Sequence, residues 1–178
     1  MRASNTLDII LKVLNTPNVE INKSWELNER HYGELTGLNK DDMKKKYGED
    51  KIFSFRRSWN VPPEPLSKYN PYHPVNIEIY KDIPKDRLPD TESLKDTYDR
   101  VVKYYVDNIE KNLDKNILIA AHGNSIRALC KYLFDIDNET ISKLEIPTGN
   151  PLLITFDIKK VKKAKYLDAS RAKDLIKF

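Results

Sequence analysis

The chain has 178 residues, 39% of them hydrophobic, which fits one globular domain around one core, spanning 1–178, and argues against a second full domain. Its apolar runs, such as Ile117 to Ala121, fall far short of the roughly 20 residues that cross a bilayer, and "MRASNTLDII" lacks the parts of a secretory signal, so a cytoplasmic protein without a membrane span is expected. The net charge of +4 is an excess of 31 basic over 27 acidic residues, mostly interspersed, and it makes no case for nucleic acid or membrane binding. The lone cysteine, Cys130, cannot staple its own chain and reads as a small buried hydrophobe.

Leu7, Ile10, Leu11 and Leu14 recur at helical spacing and stop at Asn15-Thr16, before Pro17, so the chain opens with a helix. Residues 18–27 place Val19, Ile21 and Trp25 in partial alternation and read as a strand. The two glycines of "NERHYGELTGLNK" indicate an exposed loop; Asn39-Lys40-Asp41-Asp42 then starts a helix with acids at its positive end, and Tyr47-Gly48 closes it. Residues 60–92 hold seven of the ten prolines, which marks a long loop, a lid or a disordered segment, although the interleaved Tyr and Ile residues point to packing on something. Leu94, Tyr98, Val101, Val102, Tyr105, Ile109 and Leu113 form the apolar face of a long helix capped by Asp90 or Thr91.

Ile117 to Ala121 is short, apolar and without alternation, as a buried central strand is. His122 and Gly123 turn the chain into a further helix with Ile126, Leu129, Leu133 and Phe134 on one face. A strand at 152–158, a second near Ala164 to Leu167 and a polar tail complete the chain, and "DIKKVKKAKY" at 157–166 alternates like a solvated edge strand or hairpin. Strands alternating with helices predict an α/β fold, a sheet flanked by helices.

Two constellations can carry chemistry. His122 falls at the carboxyl end of its strand, where open α/β sheets bind ligands, and the next helix offers unpaired N–H groups to an anion. A histidine there either supports a phosphoryl group or merely hydrogen-bonds the turn, and the motif alone serves both readings equally. In "NERHYG", Glu29 can act as a general acid or base beside Arg30, with Lys40, Arg56 and Arg57 downstream as phosphate or carboxylate ligands; ordinary solvated charge is the competing reading.

Together, "SWELNERHYGELTGLNK", "FRRSW", "TESLKDTYDRV", "AAHGNSIRAL" and "EIPTGNPL", in this order, closely resemble the bisphosphoglycerate-dependent phosphoglycerate mutases of the histidine phosphatase superfamily, from Arg2 to about Leu167. The resemblance implies a mostly parallel sheet, a proton donor at Glu29, a phosphoryl-stabilising histidine at His122, and substrate or phosphate contacts at Arg2, Arg30, His31, Tyr32, Lys40, Arg56, Arg57, Gly123 and Asn124. It further implies interconversion of 2- and 3-phosphoglycerate through a phosphohistidine, 2,3-bisphosphoglycerate as primer, no metal, a small phosphorylated substrate and a homo-oligomer. The phosphohistidine of that family lies in an Arg-His-Gly motif, whereas the three histidines here, His31, His73 and His122, lie outside any such motif. Set against the family, the chain is expected to be N-terminally incomplete by about two strand-helix units. Without them, buried backbone groups of the inner strands are left unpaired at about 1–3 kcal/mol each. A marginal fold, a separate N-terminal fragment as partner, or a non-catalytic remnant that binds phosphorylated ligands are the corresponding expectations.

Overall fold

The computed structural model describes residues 2–172; of Lys40, the backbone alone is described. Helix α1, Arg2–Leu14, ends where Asn15 takes a left-handed conformation (φ 50°) ahead of Pro17. Helix α2, Lys40–Tyr47, is capped by Asn39, whose side chain accepts from the Asp41 N–H, and it stops at Gly48 with φ 82°. Helix α3, Glu49–Arg57, follows at once; its Ile52 and Phe55 pack with Leu35 and Met43 into a small core.

Helix α4, Leu94–Tyr104, starts at Ser93, not at Asp90 or Thr91, because Ser93 and Asp96 form a reciprocal cap that satisfies two free N–H groups. A π-helical turn at Tyr105–Ile109 prolongs it. Helix α5, Gly123–Leu133, packs on α4, and α6, Asn138–Lys143, adds the buried Ile141 to the same core. Leu94, Val101, Tyr105, Ala128, Leu129, Cys130, Ile141 and Leu144 form the main core where these helices meet. Cys130 is 2% exposed and burial pushes its thiol up to about 12, so it behaves as a small hydrophobe. Strands β1, Leu152–Asp157, and β2, Lys160–Tyr166, pair antiparallel as a hairpin, in line with the alternation of the lysine-rich stretch.

The chain is α/β, but two expected strands take another form. Residues 18–24 carry no regular structure and Trp25–Leu27 is a 3₁₀ turn; Ile117 to Ala121 is likewise unpaired and not buried, with Ile117 42% and Leu118 52% exposed. A strand is held by ladder bonds to a neighbour, and among the described residues β1 and β2 are the strands that pair. The Pro-rich segment folds into short 3₁₀ turns at Pro74–Asn76, Glu78–Tyr80 and Lys85–Arg87, with Leu66, His73 and Leu88 buried. No helix among the described residues is long and apolar enough to cross a membrane.

Candidate active site

The segment 26–31, which carries Glu29, has no ladder to hold it, and Arg100 of α4 does so instead. Its Nη1 donates to the carbonyls of Glu26 and Asn28, and its Nη2 to that of Glu29 at 3.2 Å. The same guanidinium binds both oxygens of the buried Glu92 carboxylate, at 2.6 and 2.8 Å. Glu92 in turn accepts the His31 N–H at 2.8 Å and donates its own N–H to the His31 carbonyl at 2.9 Å. From α5, Ser125 Oγ donates to the Asn28 carbonyl at 2.6 Å.

This clamp fixes the Glu29 side chain against α5. Glu29 Oε1 accepts from the Arg30 N–H at 2.8 Å and from Asn124 Nδ2 at 2.7 Å, and Asn124 Nδ2 also donates to the Tyr32 hydroxyl at 2.9 Å. Arg30 is 2% exposed; it stacks 4.6 Å from the Tyr32 ring centre and donates Nη2 to the Phe55 carbonyl, while its Nε and Nη1 have no partner. Arg56 lies 5.5 Å from the same ring, and Arg57 pairs with Glu145. A cavity of about 620 Å³ opens here, lined by Tyr32, Arg56, Arg57, Gly123, Asn124 and Arg127 among others. A second, of about 310 Å³, is lined by Glu29, Arg30, His31, Tyr32 and Arg56.

His122 is the extended residue before α5 (φ −97°, ψ 164°), and the first helical bond runs from the Ile126 N–H back to its carbonyl. The N–H groups of residues 123–125 therefore precede the helical ladder, at the positive end of the helix dipole. Burial lowers the His122 pKa from 6.5; the Glu29 carboxylate opposes this and the exposed Arg2 adds to it. His31 is lowered too, by burial, with Glu92 opposing. The unfolded chain therefore takes up these protons first, and stability is expected to fall as pH drops from 6.5 through both folded values. An NMR titration checks this: imidazole midpoints at or above 6.5 contradict it.

Of the other two histidines, His73 belongs to the scaffold, and His31 joins the scaffold to the second cavity. His73 is fully buried between the Val75 N–H, at 3.2 Å, and Asp90, at 2.9 Å. His31 Nδ1 accepts the Gly33 N–H at 3.2 Å. Gly33 itself is required: φ is +54°, and a Cβ there meets the Glu64 carbonyl oxygen at 2.0 Å. Gly33→Ala is expected to cost about 2–3 kcal/mol in urea unfolding, within the range of strained or overpacked positions, and a neutral result refutes the close approach.

The structure thus gathers Glu29, Arg30, His31, Tyr32, Arg56, Arg57, Gly123 and Asn124 around two adjoining cavities, with His122 and Arg2 alongside. The side chain of Lys40 lies outside the described residues. Sequence reasoning passed over Glu92, Arg100 and Arg127. The signal was present in charged residues beside apolar helical faces, within motifs already singled out.

The family profile described as "Histidine phosphatase superfamily (branch 1)" matches residues 1–168. The chain belongs to the histidine phosphatase superfamily. Within it, the chain is 64% identical over 181 residues to the 2,3-bisphosphoglycerate-dependent phosphoglycerate mutase of Pelagibacter ubique (strain HTCC1062), covering 100% of this chain and 76% of that protein. It is 51% identical to the protein of the same name from Borreliella afzelii (strain PKo), over 88% of this chain and 64% of the relative, just under two thirds of its length. It is 44% identical to that from Maricaulis maris (strain MCS10), over 98% of this chain and 73% of the relative. In fold, the chain is also similar to the native structure of mycobacterial glucosyl-3-phosphoglycerate phosphatase, with a TM-score of 0.57 and 16% identity over 93% of this chain and 71% of that one.

Proposed function

We propose that this histidine phosphatase superfamily chain serves the interconversion of 2- and 3-phosphoglycerate, primed by 2,3-bisphosphoglycerate, the reaction named for its mutase relatives. One observation carries the reading: a buried guanidinium, Arg30, leaves two N–H groups unpartnered beside a carboxylate, Glu29, that protein donors hold through a single oxygen. Unpartnered buried donors call for an anion, and a phosphorylated carboxylic acid is one of suitable shape.

In this reading Arg30, Arg56, Arg57 and Lys40 bind phosphate and carboxylate oxygens, and Arg2, His31 and Tyr32 border the substrate. The N–H groups at Gly123 and Asn124 face the phosphoryl oxygens, the arrangement that favours anions at helix N-termini. Glu29 exchanges a proton with the substrate hydroxyl, and His122 stabilises charge on the group in transfer. The 2,3-bisphosphoglycerate primer, when bound, would supply the phosphoryl group to the Arg-His-Gly histidine that the resemblance calls for and that His31, His73 and His122 do not provide, so turnover depends on that carrier; the unpartnered Arg30 donors and the cationic cavity fit the primer's charge. The same reading carries with it a single domain over 1–178 with 60–92 as a lid, a cytoplasmic location, and a homo-oligomer or a separate N-terminal fragment as partner.

The test is a coupled assay of the protein in its natural length, with 3-phosphoglycerate and catalytic 2,3-bisphosphoglycerate. Turnover that requires the primer supports the reading. Binding of 3-phosphoglycerate without turnover, seen as an upward shift of the His122 midpoint beside a new dianion, refutes catalysis and leaves a phosphoglycerate-binding protein.

A further inference from the structure

Arg127 follows Asn124 by one helical turn on α5 and is 5% exposed. Its Nη1 donates to Asn124 Oδ1 at 2.9 Å, and its Nη2 is held by the Ile141 carbonyl. Burial, then the guanidiniums of Arg57 and Arg30, pull it down to about 10, so it remains a charged donor at neutral pH. A carboxamide has two orientations related by a flip, and its partners decide between them. With Oδ1 facing a permanent donor, Nδ2 must face Glu29 Oε1 and the Tyr32 hydroxyl. The flipped amide would set an oxygen against a carboxylate and an N–H₂ against a guanidinium.

We propose that Arg127 is a positioning residue: by holding Asn124 Oδ1 it fixes the amide so that Glu29 keeps Oε1 as a double acceptor and exchanges its proton through Oε2. The proposal rests on the reading of Glu29 as the acid–base group. It balances simply: one proton passes between the substrate hydroxyl and Oε2, while the two N–H bonds at Oε1 are kept throughout.

The test compares Arg127→Met, Arg127→Lys, Asn124→Ala and the Arg127→Met/Asn124→Ala double variant, in the natural-length protein, by 3-phosphoglycerate kinetics and by the Asn124 side-chain N–H₂ resonances. For Arg127→Met, kcat falls about 30-fold, a fraction of the roughly 10²–10⁴-fold that positioned acid–base groups contribute, with KM changed less than about two-fold. Arg127→Lys restores most of kcat, and the double variant is no slower than Asn124→Ala alone. The Asn124 resonances move in Arg127→Met and stay near their original position in Arg127→Lys. A raised KM with kcat intact, or losses that multiply in the double variant, overturns the proposal in favour of direct anion binding by Arg127. A kcat loss that tracks a lower melting temperature and is not restored by lysine overturns it in favour of scaffolding. If the unmutated protein shows no turnover, the mutase reading fails separately, and unmoved Asn124 resonances in Arg127→Met then overturn the proposal.

Discussion

Arg100→Met lowers the free energy of unfolding by about 3–5 kcal/mol, the cost of leaving a buried charge without its partner. The Glu92 and Arg100 side chains are 4% and 11% exposed, so water cannot replace the lost cation. The carbonyls of Glu26, Asn28 and Glu29 lose their donor in the same stroke. Exposed pairs such as Lys95–Asp99 and Lys143–Glu139 give the contrast, since a solvated ion pair is worth about 0–1 kcal/mol. Urea unfolding of Arg100→Met beside Lys95→Met measures both. The Glu92→Gln/Arg100→Met double variant should recover part of the loss, because no charge is stranded. A loss for Arg100→Met no larger than that for Lys95→Met would show that the clamp is hydrated and that 26–31 is held by other means.

Glu29→Gln is expected to lower kcat by about 10²–10⁴-fold, the contribution of a positioned general acid or base, with KM and melting temperature nearly unchanged. Glutamine keeps an oxygen for the Arg30 N–H and Asn124 Nδ2, so the scaffold loses little. What it loses is a group that can take up and return a proton. Steady-state kinetics with calorimetry separates the two effects, and a kcat loss smaller than about ten-fold would move the proton transfer to another residue. Glu29→Asp, which retracts the carboxylate by one methylene, should fall between the two.

Local chemistry was legible wherever it is written in neighbouring residues. Helix α1 ends at Asn15, α2 is capped by Asn39 and ends at Gly48, and the lysine-rich stretch makes a hairpin, all through contacts a few residues apart. The Ser93 cap was misplaced by two or three residues because several polar residues in succession can all accept an N–H, and the reciprocal Asp96 bond decides. Helix α3 went unread: at nine residues it is held chiefly by Ile52 and Phe55 packing on Leu35 and Met43. The unpaired stretches at 18–24 and 117–121 show the opposite error, since an apolar run does not reveal whether a neighbour exists to complete a ladder.

The sequence by itself determined the family and the order of its motifs, because residue identity is a property of the chain alone. Tertiary structure decided what those residues face. Glu29 and Asn124 are 95 positions apart, yet Asn124 holds one oxygen of the Glu29 carboxylate; Arg100 grips carbonyls more than 70 residues upstream. Hydrogen bonds act over about 3 Å of space whatever the separation along the chain, so which donor meets which acceptor is settled only when α4 and α5 pack together.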